Sequence, residues 1–178
     1  MPSPIGHALG GVICGWIVRG NRLGRSETAV REVLTFATLG VLPDIDLLFG
    51  LHSGPTHGIG VAGLAGALAW SHWLRVPRSR DRAILALACV AAYASHTLLD
   101  WLGSDTSAPI GIMALWPFTS AYYESNFHIF DAVSRRFREP DLFWTQNIRA
   151  LIRELLILAP IAIAVGSFRR RKLAAPST

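Results

Sequence analysis

The residues best suited to chemistry begin in a polar stretch of an apolar chain, LPDIDLLFGLHSGPTHG at residues 42–58. Two aspartates and two histidines stand there, Asp44, Asp46, His52 and His57. If LPDID is extended, side-chain alternation places both aspartates on one side, although a solvated turn or a helix cap is the alternative. The Gly and Pro of SGPT force a turn between the two histidines, so both histidines can reach one site.

A second pair of candidate ligands is His96 and Asp100 in the segment ASHTLLD. Residues four apart on a helix project from one face, so this imidazole and carboxylate can share a divalent cation, or the aspartate can hold the histidine as its partner. A plain structural pair fits the same spacing. Ionisable groups in an apolar helix are costly, and this cost favours the functional interpretation.

The types of these residues favour zinc chemistry. Zinc accepts imidazole nitrogen and carboxylate oxygen, and catalytic sites keep a position open for water, whose pKa falls to about 7 on the metal. The expected metal ligands are His7, Asp44, His52, His57, His96 and Asp100. Asp46 and Asp100 are the expected catalytic carboxylates, because a carboxylate can act as general base. The set exceeds what one tetrahedral ion requires, so one or two zinc-like ions are predicted, with Mn or Fe as alternatives.

Two further histidines are weaker candidates. His72 lies at the opposite, basic end of its apolar segment, and a structural or interfacial role is predicted for it. His128, three residues before Asp131, could be a further ligand or a gate over the site. Cys14 and Cys89 lack metal-like spacing and are expected to be buried structural thiols.

The elements that must position these residues are apolar helices. The chain has 178 residues, of which 51% are hydrophobic and 16% charged, and this indicates a membrane protein because soluble domains have about 25% charged residues. Five apolar segments occur, at 5–18, 32–42, 59–76, 83–102 and 149–168. The last three approach the roughly 20 residues that cross a bilayer. Three crossings are therefore expected, and the first two segments are expected to be core or re-entrant helices.

The predicted fold is an all-α, multi-pass helical membrane bundle in one domain over residues 1–178, with a polar cap at 103–148 and a basic tail at 169–178. Up-down packing puts the basic connections 19–31 and 75–82 at the same end as the tail, and the positive-inside rule makes that end cytoplasmic. The candidate ligands then meet at the opposite, non-cytoplasmic end of an inner membrane protein. Four arginines near that end run against the rule, Arg135, Arg136, Arg138 and Arg149. No removable signal peptide is predicted, because no basic side chain precedes the first apolar run.

Other chemistries lack their sequence signatures. The chain has no Gly-rich phosphate loop of Walker type and no G-x-S-x-G nucleophile elbow. Its aromatic residues do not alternate with basic ones as on a nucleic-acid platform. No nucleic-acid partner is therefore expected.

Several motifs together resemble one family. SPIGHALGG, LPDID, HSGPTHG, SHTLLD and TSAPIGIMALWPF occur in the order found in the bacterial inner-membrane family of membrane-bound, metal-dependent hydrolases. That family is distantly similar to zinc-dependent phospholipase C and P1 nuclease, and the resemblance covers roughly residues 1–120. It implies the metal ligands His7, Asp44, His57, His96 and Asp100, with Asp46 and His52 next. Ser53 and Gly58 depart from the residues expected after the two histidines of HSGPTHG, but the histidines themselves stay in place.

The sequence thus predicts a membrane protein that activates water with one or two zinc-like ions and cleaves a phosphoester. The lipid bilayer is the expected partner, and a phospholipid or another phosphoester the expected substrate. The alternative is a non-catalytic integral membrane protein in which a structural metal or a polar cluster ties helix ends together. A third interpretation, a soluble helical domain bound at the membrane surface, conflicts with the nearly uncharged segment 83–102.

Overall fold

The computed structural model describes residues 1–20, 26–72 and 79–174, and these residues form five α-helices and two 3₁₀ helices. The helices are α1 (Pro4–Arg19), α2 (Ser26–Val41), α3 (Ile59–His72), α4 (Ser79–Trp101) and α5 (Pro140–Ala174). The 3₁₀ helices are Leu42–Phe49 and Pro55–His57. No β-strand occurs among the described residues, which confirms the predicted all-α fold. The structure does not describe four arginines of the predicted basic connections, Arg22, Arg25, Arg75 and Arg78, or the side chain of His72.

The fifth helix is longer than the sequence predicted. It begins at Pro140 rather than at residue 149, so the last part of the predicted polar cap is helical. Proline suits the first helical position because the N–H that it lacks would have no helical partner there. Asp141 in the first turn complements the positive end of the helix dipole. The polar residues 145–147 separate Leu142, Phe143 and Trp144 from the apolar segment that follows, so hydropathy alone placed the start of the helix later.

The motif LPDID is not extended, and this corrects the expectation from sequence. It opens the 3₁₀ helix Leu42–Phe49, which follows α2 directly and has Pro43 in its first turn. Gly50 ends this helix with a φ of 70°, in the left-handed region that glycine adopts without strain. Successive residues of a 3₁₀ helix turn by about 120°, so Asp44 and Asp46 project in different directions.

The contact between α1 and α2 is exceptionally close. A Cβ added to Gly11 would lie 2.2 Å from the Phe36 carbonyl oxygen, and one added to Gly40 would lie 2.3 Å from the His7 carbonyl oxygen. Small residues let two helix backbones touch in this way. The crossing therefore holds the end of α2 against the turn of α1 that carries His7.

The apolar core lies along α1 and α4. One buried cluster contains Val12, Phe36, Ala88, Cys89 and Ala92, and another contains Ile13, Leu99, Phe130 and Leu158. Cys89 is buried and Cys14 is half-buried, and both thiols are free. Because both clusters join α1 to α4, they fix the candidate ligands of these two helices relative to each other.

One of the described helices is long and apolar enough to cross a membrane, judged by length and composition. It is Arg80–Trp101, with a mean hydropathy of 1.5, and half of its apolar window is buried inside the protein. The apolar helix Ile59–Ser71 is shorter. Of the three crossings expected from sequence, length and composition in the described residues thus support one.

The irregular cap between α4 and α5 folds over one end of the bundle. The Ile59 N–H donates to the Ala114 carbonyl oxygen at 3.0 Å, at the start of α3. The Met113 N–H donates to the Ser53 carbonyl oxygen at 3.0 Å. These backbone hydrogen bonds tie the cap to the loop that precedes α3, at the end of the bundle where the candidate ligands lie.

Candidate metal centre

One face of α4 presents a row of polar side chains. Tyr93, His96, Thr97 and Asp100 follow one another at intervals that align side chains on a helix. The Tyr93 hydroxyl donates to the Thr56 carbonyl oxygen at 2.8 Å, and the Thr97 hydroxyl donates to the His57 carbonyl oxygen at 2.6 Å. The two hydrogen bonds fix the turn that carries His57 beside the two candidate ligands of α4.

His57 and His96 meet through their Nε2 atoms, which lie 3.0 Å apart. His96 Nδ1 lies 2.7 Å from the Gly40 carbonyl oxygen, and because a carbonyl only accepts, Nδ1 carries the hydrogen and Nε2 presents a lone pair. His57 Nδ1 lies 3.1 Å from Thr56 Oγ1 and 3.4 Å from Asp46 Oδ2. The hydrogen of neutral His57 therefore also belongs on Nδ1. Two lone pairs then face each other, so the contact is favourable only with a proton or a metal cation between them.

Two carboxylates complete a four-atom cage with these nitrogens. Asp100 Oδ2 lies 3.1 Å from His96 Nε2 and 3.4 Å from His57 Nε2. Asp44 Oδ1 lies 3.6 Å and 3.9 Å from the same two nitrogens. Ligands at zinc distances in a tetrahedron are about 3.3 Å apart, and the measured separations of 3.0 to 3.9 Å surround that value. The candidate ligand atoms form two groups of three, one from Asp44, His57 and His96 and one from His7, His96 and Asp100. Three such ligands around one cation would leave its fourth position open for water.

Asp46 lies behind His57, on the side away from His96. Its Oδ2 accepts hydrogen bonds from the Gly54 N–H at 3.2 Å and from the Thr56 hydroxyl at 3.1 Å. A carboxylate at the far nitrogen of a ligating imidazole fixes its tautomer and raises its basicity. The sequence predicted a catalytic role for Asp46, and that role stays a prediction. In the structure Asp46 contacts His57 Nδ1 and the turn at Gly54 and Thr56.

Neighbouring charges set the protonation of His57. Burial lowers the pKa of His57, but Asp100 and Asp46 outweigh burial and raise it to about 9. Burial likewise acts to raise the pKa of Asp46, whereas His57, the Gly54 N–H and Thr56 hold it below its usual value. Near neutral pH, His57 thus carries a proton where a metal cation would otherwise bind.

His7 reaches the cluster from α1. Its ring stacks on that of His96 with centroids 3.7 Å apart, and its Nε2 lies 3.2 Å from Asp100 Oδ1. Asp100 thus turns one oxygen toward the two other histidines and one toward His7. Both ring nitrogens of His7 and both oxygens of Asp100 are buried and lack hydrogen-bond partners among the described residues. Buried polar atoms rarely stay unpaired, and a cation would satisfy those that converge here.

The turn of α1 that carries His7 is held by a buried carboxylate of α5. Ser3 caps α1, because its Oγ accepts from the Gly6 N–H at 3.2 Å. The Ser3 N–H in turn donates to Glu154 Oε1 at 2.7 Å, and its hydroxyl donates to Glu154 Oε2. Glu154 is fully buried, so α5 contributes to the orientation of His7.

Five of the six expected metal ligands come together in the structure, His7, Asp44, His57, His96 and Asp100. His52 is not brought to them, since its Nε2 lies 3.3 Å from both carboxylate oxygens of Asp105. Ser53 adopts a left-handed φ of 55°, and this turn separates the directions of the two histidines of HSGPTHG. His128 is exposed in the cap and makes no described contact with the cluster.

Several residues that support the cluster, or that hold His52 apart from it, were not singled out from sequence, Gly40, Thr56, Tyr93, Thr97, Asp105 and Glu154. Tyr93 and Thr97 had a usable signal, because they stand at helical spacing from the candidate ligands of α4. Asp105 also had one, since its Oδ1 accepts from the Ser107 N–H at 3.0 Å, a turn typical of aspartate. Gly40 acts through its carbonyl oxygen and has no such signal.

Asp44 connects the cluster to the surface. About a fifth of its side chain is exposed, whereas those of His7, His57, His96 and Asp100 are almost fully buried. Asp44 also lines a groove of about 550 Å³ between α1, α2 and the first 3₁₀ helix. Asp44 is therefore the residue that this shallow groove shares with the candidate metal centre.

The five helices, one of them of membrane length, and the buried His and Asp cluster define a class, an all-helical protein with a candidate metal centre at one end of its bundle. A family model described as YdjM inner membrane protein matches residues 1–173. The chain belongs to this family, which confirms the expected inner-membrane location. The family description states a location and no reaction. No curated protein and no solved structure matches the chain significantly.

Proposed function

We propose that the chain is a metal-dependent hydrolase of the inner membrane that cleaves phosphoesters. The observation that carries the proposal is that His57 Nε2 and His96 Nε2 lie 3.0 Å apart and that two carboxylate oxygens lie within 3.1 to 3.9 Å of them. These are zinc ligand types, and the carboxylates also suit Mn or Fe. When bound, such an ion polarises a phosphoryl oxygen and lowers the pKa of a water to about 7.

One ion position offers more protein ligands than a second position would. His96 serves a single ion, because its Nδ1 is bonded to the Gly40 carbonyl oxygen. A second ion would have His7 Nε2 and Asp100 Oδ1, 3.2 Å apart, as its ligands. We therefore expect one tightly bound ion and, at most, a weaker second ion at His7.

The pair of His7 and Asp100 is suited to move protons. In the proposed reaction a water oxygen bonds to phosphorus while a water proton passes to Asp100 Oδ1, which lies 3.2 Å from His7 Nε2. The bond from phosphorus to the leaving oxygen breaks, and that oxygen takes up the proton. Water is thus added across one phosphorus–oxygen bond, and no oxidant or further reactant is needed.

The proposal includes several membrane crossings. Large apolar side chains are exposed on every helix, among them Ile17, Leu34, Leu68, Leu87 and Ile163. Residues 155–168 of α5 contain no charged side chain and extend about 21 Å at 1.5 Å per residue. Apolar surface on this scale marks contact with lipid or a partner. Arg169 and Arg170 follow at the end of α5 opposite the cluster, which favours a metal centre on the non-cytoplasmic side.

The test combines metal analysis with hydrolysis of bis(p-nitrophenyl) phosphate by the detergent-purified full chain. We expect bound metal and hydrolysis, with both lost in His96→Ala and in Asp100→Asn. His128→Ala and Asp141→Asn are matched controls, because both residues are exposed and outside the cluster. Helix content measured by circular dichroism separates loss of the site from loss of the fold. A wild-type protein without metal, or hydrolysis that survives both cluster variants, would refute the proposal.

One observation favours a second candidate function, a structural metal clip. All of the converging ligands except Asp44 are almost fully buried, and a metal in such a place can simply tie helix ends together. For a clip, chelation lowers the melting temperature, and no phosphoester is cleaved. Hydrolysis that disappears in His96→Ala while the fold remains decides for the enzyme.

A further inference from the structure

The groove that leads to Asp44 is walled by apolar side chains. Leu42, Ile45 and Leu48 of the first 3₁₀ helix line one side, with Ala and Val residues of α1 and α2 opposite. Asp44 is its one charged lining residue, and Thr38 its one other polar residue. Leu48 is 82% exposed, so the apolar wall continues from the groove onto the outer surface.

These walls select the kind of molecule that can lie in the groove. They offer no positive side chain and, beyond one threonine hydroxyl, no side-chain hydrogen-bond donor. A polar group placed along them would lose its hydration without gaining a partner, which is unfavourable. A hydrocarbon chain has no polar group that would lose hydration there. In an inner membrane protein, such a chain reaches the groove directly from the surrounding bilayer.

Resting on the proposed function, we infer that the substrate is a lipid phosphoester whose hydrocarbon chain lies in this groove, with its phosphate at the Asp44 end. Asp44 would repel a phosphate on its own, so binding depends on the cation that Asp44 helps to hold. The groove thus admits the lipid substrate sideways from the membrane. An apolar segment of a protein partner is the competing occupant.

Binding of non-hydrolysable phosphonates tests this inference apart from catalysis. We expect hexadecylphosphonate to bind the zinc-loaded protein in detergent more tightly than butylphosphonate, and chelation to abolish its binding. Thr38→Trp fills the groove and should weaken hexadecylphosphonate binding about tenfold, the equivalent of two lost methylene contacts. Thr35→Trp is the matched control, an exposed threonine of α2 outside the groove.

A second pair of variants tests the groove independently, in case Thr38→Trp does not fold. Leu48→Asp places a charge in the groove, and Phe49→Asp places one on a neighbouring exposed residue that does not line it. Leu48→Asp should reduce hexadecylphosphonate binding, and Phe49→Asp should not. Equal binding of the two phosphonates, or a chain-length preference that survives both Thr38→Trp and Leu48→Asp, overturns the inference and favours a protein occupant.

Hydrolysis separates this inference from the proposed function. If long-chain and short-chain phosphodiesters are cleaved at equal rates, the lipid inference fails and the hydrolase remains. If hexadecylphosphonate binds with the expected dependence on the groove but neither ester is cleaved, the groove is a lipid site and the hydrolase proposal fails. A preference for the long-chain ester that is lost in Leu48→Asp supports both.

Discussion

His57 and His96 point their Nε2 atoms at each other across 3.0 Å in the buried end of the bundle. One ring comes from a short turn and the other from the middle of α4, and each has its Nδ1 engaged elsewhere. The space between the two rings therefore requires a positive charge. In the metal-free protein this charge is a proton, and a divalent cation can replace it.

Removal of individual histidines should separate the two ion positions. We expect His57→Ala to lose all tightly bound metal, because it removes one of two nitrogens from the four-atom cage. His7→Ala should retain one ion, because His7 contacts the opposite oxygen of Asp100. Metal counting by mass spectrometry on purified protein gives the ratio of ion to chain. Loss of the ion in His7→Ala would mean that the first ion lies nearer to α1.

Metal binding should release a proton near neutral pH. Since the pKa of His57 is raised to about 9, the ring is protonated below that pH and must lose its proton to bind metal. The apparent affinity for zinc should therefore rise with pH and level off above about pH 9. Calorimetry in two buffers of different ionisation enthalpy measures the proton released. An affinity that does not change between neutral pH and that limit would contradict the proposed role of His57.

Asp46→Asn should weaken metal binding and leave the helix content of the protein unchanged. The amide keeps the size of the side chain but removes the charge that holds His57 Nδ1 from 3.4 Å. Such partners behind metal ligands contribute about 10–100-fold to affinity. Competition with a chromogenic chelator measures the change, and Asp141→Asn on the exposed start of α5 is the control. An unchanged affinity would assign Asp46 to the turn alone.

His52→Ala should leave the metal content unchanged. Its Nε2 faces Asp105 at 3.3 Å, so the variant loses a contact between the loop and the cap and not a metal ligand. The expected loss of stability is about 1 kcal/mol, the size of one hydrogen bond. Metal analysis and thermal unfolding of the same preparation measure both quantities. If His52→Ala loses the bound metal while its melting temperature is unchanged, His52 is a metal ligand, as the sequence predicted.

Gly11→Ala should destabilise the bundle, because the new Cβ would meet the Phe36 carbonyl oxygen at 2.2 Å, and backbone yields poorly. We expect a loss of about 1–3 kcal/mol, as for other overpacked sites. Gly40→Ala should in addition reduce metal binding, since it displaces the carbonyl that holds His96. Gly63→Ala on α3 is the matched control, with open space around its Cβ position. Chemical unfolding compares the three, and equal stabilities would contradict the close crossing.

The sequence by itself determined the helical class, the residue types of the cluster and most of its members. Apolar segments separated by short connections alternate in direction, so the start of α1, the loop before α3 and the end of α4 had to meet at one end. Hydrophobic patterning is a local property and can be read from the chain. For the same reason hydrophobic patterning placed the start of α5 too late, because the polar residues 145–147 interrupt the apolar pattern after Pro140.

The tertiary structure decided how each side chain of the loop is used. The 3₁₀ turn at Asp44 and the left-handed Ser53 differ from their alternatives by small local energies, and packing against α4 and the cap selects between them. The selected backbone conformation places Asp44 near His57 Nε2 and places His52 near Asp105. The Gly40 carbonyl oxygen lies in the site because α1 and α2 are in contact at their glycine residues. Every residue has a backbone carbonyl, so the role of this one could not be predicted from the sequence.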